Sequence, residues 1–211
     1  MIHALERLRP GRSMVSGHAM AAHAARLCTF AIVLWCGAAV AIQQVRSLYT
    51  AVDPSLCRPL GGGDSGGAAR LCEGLPGYPV YIAEGSRGVY LSVGPNADKR
   101  RAARQTLSSF NTLFDRGGRR TTVEWRFVVR DRQTVPYATI VRYFTQSATD
   151  AGQVLVVMRV TDREVCHVAY VDALANLDAI VLARKLADTV ARSKPCPQEP
   201  SVQGAQGRSP M

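Results

Sequence analysis

Thr122-Val123-Glu124-Trp125-Arg126-Phe127-Val128-Val129-Arg130 reads as the body of a β-strand over 121–130. Val123, Trp125, Phe127 and Val129 alternate with Thr122, Glu124, Arg126 and Arg130, and a period of two turns one set toward a core and the other toward water. Further strand-like segments follow at 137–146, 153–161 and 164–172. The segment 153–161 is nearly all apolar (Val154, Leu155, Val156, Val157, Met158, Val160), as a central strand buried on both faces requires; its exception is Arg159. Upstream, Tyr78-Pro79-Val80-Tyr81-Ile82-Ala83 and Val89-Tyr90-Leu91-Ser92-Val93 flank Glu84-Gly85-Ser86-Arg87-Gly88, two β-rich runs joined as a hairpin.

Two helices complete the pattern. Asn96 is a candidate N-cap with Asp98 in the first turn; Ala103, Leu107, Phe110 and Phe114 form one apolar stripe, and Gly117-Gly118 end it. The second helix begins near Asn176, carries Ile180, Ala183, Ala187 and Val190 at near-helical spacing, and ends at Pro195. The order ββαββββα predicts an α+β fold, a mainly antiparallel sheet with both helices packed on one face. The domain covers 78–196. Residues 42–77, with Pro54, Pro59, Pro76 and a run of glycines, read as a loop-rich lead, and 197–211, rich in Pro, Gln, Ser and Gly, as a disordered tail.

Residues 27–42 carry no charge and follow Arg7, Arg9, Arg12 and Arg26. The run ends in Ala39-Val40-Ala41, the small-x-small pattern of a signal peptidase site, so 1–41 is expected to be a signal peptide that leaves Ile42 as the new N-terminus. The alternative is an uncleaved single-span anchor, in which case the protein meets the membrane through 27–42. At 1.5 Å per residue that run spans ~24 Å, short of a hydrocarbon core of ~30 Å. The n-region before it is long, and Met14 or Met20 as the start would give the leader ordinary length.

Beyond the leader lie Cys57, Cys72, Cys166 and Cys196, an even number that in an exported chain argues for two disulfides with three possible pairings. Proximity in sequence favours Cys57–Cys72 and Cys166–Cys196. No pair is spaced Cys-x-x-Cys and only His167 could join them, so neither a metal site nor a redox motif is expected, nor any cofactor.

Gly63-Asp64-Ser65-Gly66-Gly67 resembles the nucleophile segment of trypsin-like serine proteases over five residues and also fits the Gly-x-Ser-x-Gly elbow. A trypsin-like enzyme needs its His and Asp upstream of the serine, where the only histidines lie in the leader. A small hydrolase ordered Ser65, then Asp131 or Asp162, then His167 is the enzymatic alternative, although Ser65 lacks the strand before it and the helix after it that an elbow needs. Gly61 to Gly66 also spells Gly-x-Gly-x-x-Gly, but without the strand–turn–helix context that a nucleotide site requires. His167 is the one acid/base candidate for neutral pH beyond the leader. On a strand it faces away from Cys166, and a nearby carboxylate from Asp162, Glu164 or Asp172 would raise its pKa.

The chain is basic, with 26 Lys and Arg against 16 Asp and Glu and a formal charge of +10. Nearly all the cations are Arg; Lys occurs only at 99, 185 and 194. Arg100, Arg101, Arg104, Arg119 and Arg120 cluster along the first helix and its exit, while Arg126, Arg130 and Arg142 are placed to line one sheet face. Arg forks suit phosphate and carboxylate, so an acidic envelope polymer, a lipid headgroup or an acidic protein is the expected partner. Export and the absence of a recognition motif argue against nucleic acid.

Gly74-Leu75-Pro76-Gly77-Tyr78-Pro79-Val80-Tyr81, Val154 to Thr161, and His167-Val168-Ala169-Tyr170-Val171-Asp172-Ala173, set between paired cysteines, together resemble small exported (periplasmic) proteins of Gram-negative bacteria that have no known activity. The resemblance implies a compartment and a domain type and supplies no active-site residue. The expectation is a non-enzymatic periplasmic or secreted domain that binds another envelope component through a basic face. A serine hydrolase using Ser65 and His167, and a membrane-tethered structural protein, are the alternatives.

Overall fold

The computed structural model describes residues 44–62, 67–114, 121–196 and 198–211. The leader, Ser65 with its glycine loop, Arg119 and Arg120 lie outside the described residues. In chain order the strands are β1 (Arg46–Ala51), β2 (Arg58–Gly62), β3 (Ala68–Leu75), β4 (Tyr78–Gly85), β5 (Gly88–Val93), β6 (Phe110–Thr112), β7 (Thr122–Arg130), β8 (Gln133–Gln146), β9 (Ala151–Val160) and β10 (Val165–Asp172). Helix α1 (Ala179–Ser193) and β11 (Ser201–Gln203) follow. The hydrogen-bonded path runs β11-β10-β9-β8-β6-β5-β4-β3-β2, with β7 added to β8 and β1 to β7. All pairings are antiparallel except β10 with β11 and β5 with β6.

Strand β8 organises this path because three strands pair with it. β9 occupies one edge; the other is divided between β7, along Gln133–Val141, and β6, along Phe144–Gln146. The β7–β8 hairpin turns through Asp131 (φ 48°) and Arg132 (φ 63°), the two positive φ angles whose twist suits a tight hairpin. Val80, Ile82, Leu91 and Val93 of β4 and β5 share one core with Val123 and Trp125 of β7, Tyr143 of β8, and Val154, Val156 and Met158 of β9. The first half of the sheet therefore folds over the inner face of the second, as in a sandwich. On the outer face Ile140, Leu155, Val157, Val168 and Val171 pack against Ala183, Leu186, Ala187 and Ala191 of α1. The result is three layers, a mostly-sheet α+β arrangement with one α-helix among the described residues.

Several expectations are corrected. The first helix does not form: 97–116 begins as two short 3-10 turns, Ala97–Lys99 and Arg101–Arg104, and continues into β6. Ala103 and Leu107 are buried as the stripe predicts, but Phe110 is 54% exposed. Ser108-Ser109 and Asn111-Thr112 are weak helix formers, and Asn111 is worth more in the short strand that joins β5 to β8. Its buried side chain donates to the Arg87 carbonyl and accepts from the Val89 N–H, both at 3.1 Å. Gly88 (φ 118°) admits this approach, since a Cβ there would run into the Asn111 backbone.

The lead is not loop-rich, because it supplies β1, β2 and β3 to the same sheet. The polar face of β7 is not wet either. Glu124 is 4% exposed, and it accepts from Arg184 of α1 at 2.7 Å and from the Ser47 hydroxyl of β1 at 2.6 Å. Arg126 forks onto Asp188 of α1 at 3.0 and 2.6 Å, and the Tyr137 hydroxyl donates to that carboxylate at 2.6 Å. Burial alone would lower the Arg126 pKa, and Asp188 more than offsets it. Arg159, the exception in the apolar strand, donates to the Ala191 carbonyl at 2.8 Å, near the C-terminal end of α1 where a cation is favoured.

The tail is ordered and docked. β11 pairs with β10, and further on Ser209 is buried against Gly152, where a Cβ would come within 2.5 Å of the Ser209 Cα. The anchor is Asp172, fully buried at the end of β10. Its Oδ1 accepts from the Ser209 hydroxyl at 2.6 Å and from the N–H groups of Leu174 and Ala175; its Oδ2 accepts from the N–H groups of Arg208 and Ser209, both at 2.8 Å. Burial alone would raise the Asp172 pKa, but the Ser209 hydroxyl and these N–H groups more than offset that and hold it below the usual carboxylate value.

Hydrogen bonds to a charged group are worth about 1.5–3 kcal/mol each, so Ser209→Ala is expected to release the tail at least about tenfold more often. Limited proteolysis checks this: cleavage within 198–211 should accelerate by that factor while the rest of the domain stays intact, and an unchanged rate would show that the Ser209 hydroxyl does not hold the tail.

Candidate functional site

Both disulfides form with the pairing favoured by sequence proximity. Cys57 joins Cys72, fifteen residues on, and ties the entry of β2 to β3; Cys166 joins Cys196, thirty residues on, and ties β10 to the segment after α1. Each contributes about 2–4 kcal/mol by restricting the unfolded chain. They fit an exported protein, since such bonds persist in oxidising compartments. Among the described residues no helix is long and apolar enough to cross a membrane.

His167 is wholly buried between the two sheet layers. It does face away from Cys166, which lies in the core under α1. Nδ1 pairs with the Tyr170 hydroxyl at 3.0 Å, the His167 N–H donates to Gln105 Oε1 at 2.9 Å, and the rings of Tyr143 and Tyr170 stand edge-on to the imidazole. Among the described residues none of the three expected carboxylates meets it: Asp172 is committed to the tail, Glu164 pairs with Arg159 and Asp162 is exposed in the β9–β10 turn. Burial therefore sets the titration and pushes the pKa down to about 3. A neutral imidazole sealed from solvent has no route to a substrate. Among the described residues no three His, Cys, Asp or Glu side chains converge as a metal site requires.

The basic cluster is brought together in part. Lys99, Arg100 and Arg101 meet Arg163 from the β9–β10 turn around a groove of about 230 Å³, with Glu164, Val165 and Cys196 completing its walls. Arg100 sits between the 3-10 turns and that turn, donating to the carbonyls of Pro95, Asp162 and Arg163. Those carbonyls satisfy its N–H groups and leave its charge unneutralised. Arg101 pairs with Glu199 at 2.9 Å in a solvent-exposed bridge of the kind that contributes little and exchanges readily. Lys99 is exposed, and Arg163, 90% exposed, has Asp162 at 4.0 Å. Arg104 is exposed at the end of the second 3-10 turn and does not line the groove. Arg163 was the residue the sequence concealed. It lies 62 residues or more from the groove's other cations in sequence and follows the apolar β9 directly, so only the folding of the β9–β10 hairpin against the 3-10 turns reveals it.

Compared with protein families, curated proteins and solved structures, this chain matches none.

The buried imidazole makes stability depend on pH. The folded pKa of about 3 lies below an unfolded value of about 6.5, so between those limits the unfolded chain takes up the proton and the folded chain does not. Stability contributed by neutral His167 is full above about pH 6.5 and falls by about 1.4 kcal/mol per pH unit below it. Urea unfolding between about pH 4 and 6 should therefore lose that slope in His167→Phe; an unchanged slope would contradict the burial of a neutral imidazole.

Proposed function

We propose that this is an exported, non-enzymatic domain of the bacterial envelope that binds phosphate or carboxylate groups displayed by another envelope component. The observation that carries the reading is the groove lined by Lys99, Arg100, Arg101 and Arg163 with one carboxylate, Glu164, while Glu199 and Asp162 meet Arg101 and Arg163 in exposed pairs. Arg100 is held rigidly by backbone carbonyls, while Lys99 and Arg163 are free to reach an approaching anion. Arg forks bind oxyanions through paired N–H groups, and a cluster of one sign raises the local concentration of the opposite charge. Export is supported by the leader pattern, the two disulfides and the resemblance to small periplasmic proteins. The non-enzymatic reading is supported by the sealed His167, the only histidine after the leader.

Lys99→Glu combined with Arg163→Glu tests the groove without disturbing Arg100, which braces the fold. Binding is measured to phosphatidylglycerol vesicles and to polygalacturonate, with phosphatidylcholine vesicles as the neutral reference. The wild type is expected to bind at least one anionic surface, more weakly as salt rises, and the double variant at least about tenfold more weakly. Arg130→Glu, exposed at the end of β7 and outside the groove, should bind as wild type. Equal loss in both variants, or in neither, would reject the groove.

A further inference from the structure

A second groove, of about 300 Å³, opens between α1 and the outer face of β7, β8 and β9. Its apolar wall is Ile140, Phe144, Leu155 and Ile180, and its polar end is Arg142 and Arg184. Arg142 is the unusual residue. Its guanidinium is half-buried, and burial pulls its pKa below the ordinary arginine value. Among the described residues it has no carboxylate within salt-bridge distance; Nη1 donates to the neutral amide oxygen of Gln153 at 2.6 Å.

Three other cations on this side of the sheet are compensated. Arg126 has Asp188 at 2.6 Å, Arg184 has Glu124 at 2.7 Å, and Arg159 has Glu164 at 3.7 Å besides the helix carbonyl of Ala191. A guanidinium partly withdrawn from water and left without an anion is costly, and an external anion seated on it would remove that cost. Glu124 also lines the groove, with its charge already matched by Arg184, so a monoanion fits better than a dianion. The apolar wall asks for a hydrocarbon body behind the head, and the volume sits at the lower end of small-molecule sites.

We infer that this groove binds a short aliphatic carboxylate, its head on the Arg142 fork and its chain against Ile140, Phe144, Leu155 and Ile180. The site is separate from the Lys99–Arg163 groove and does not depend on that reading.

Isothermal titration with sodium octanoate tests it on the oxidised protein. Saturable one-to-one binding is expected at or below ~1 mM, with 1-octanol, which keeps the chain and lacks the charge, at least about tenfold weaker. Arg142→Gln should weaken octanoate by about tenfold or more. Ile180→Trp, a change at the helix surface that fills the groove, should do the same with Arg142 intact, which keeps the test decisive if Arg142→Gln fails to fold. The Lys99→Glu, Arg163→Glu protein should bind octanoate as wild type. No saturation by ~10 mM, octanol binding as well as octanoate, or octanoate binding undiminished in Ile180→Trp would each overturn the assignment.

Discussion

From Val154 to Met158, no residue of β9 is more than 2% exposed. A strand dry on both faces needs a layer on each side, and the rest of the molecule supplies those layers. β3, β4 and β5 close over the inner face, and α1 closes over the outer one. Helix α1 alone could not stay put on a bare sheet, because a helical stripe of alanines buries little area per residue. It is held by Asp188 on Arg126, by Arg184 on Glu124, by Arg159 on the Ala191 carbonyl and by the disulfide from Cys166 to Cys196. These contacts set the position of the helix as much as its apolar stripe does. The tail is secured independently, by the buried carboxylate of Asp172.

The same arrangement separates the buried polar groups from the exposed ones. His167, Tyr143 and Asp172 are enclosed and serve the core; the cations that remain open to ligands lie where elements meet. Lys99 and Arg163 flank the contact of the 3-10 turns with the β9–β10 hairpin, and Arg142 lies under the edge of α1. Both grooves present arginine side chains, Arg100, Arg101 and Arg163 in one and Arg142 and Arg184 in the other.

Much of the strand and helix placement was legible from period alone. The apolar run 154–160, the 78–93 hairpin and the helix ending before Pro195 match the structure, because side chains there are sorted by burial. The alternation in 122–130 located a strand but not its faces, since Glu124 is buried and Val129 is 48% exposed. The 97–116 segment misled because Ala103, Leu107, Phe110 and Phe114 mimic a stripe, whereas the buried amide of Asn111 decides for a short strand between β5 and β8 through bonds to residues more than twenty positions away. Glu124 and Arg126 read as a wet face for a similar reason: their partners Arg184 and Asp188 are about sixty residues distant. The polar composition of 198–211 hid a docked tail, since its anchor is a serine bonded to an aspartate rather than an apolar side chain. Of the sites, both disulfides were readable from spacing and Arg100 and Arg101 from clustering; Arg163 and the uncompensated Arg142 required the fold.

The two bridges, which brace the surface around β3 and β10, fit a domain that works in an oxidising compartment. Intact mass of the protein recovered from fractionated cells, before and after reduction and thiol alkylation, is the test. A chain beginning at Ile42 is expected in the envelope or secreted fraction, with Cys57, Cys72, Cys166 and Cys196 unreactive until reduced. A cytoplasmic chain whose four thiols alkylate without reduction would contradict it.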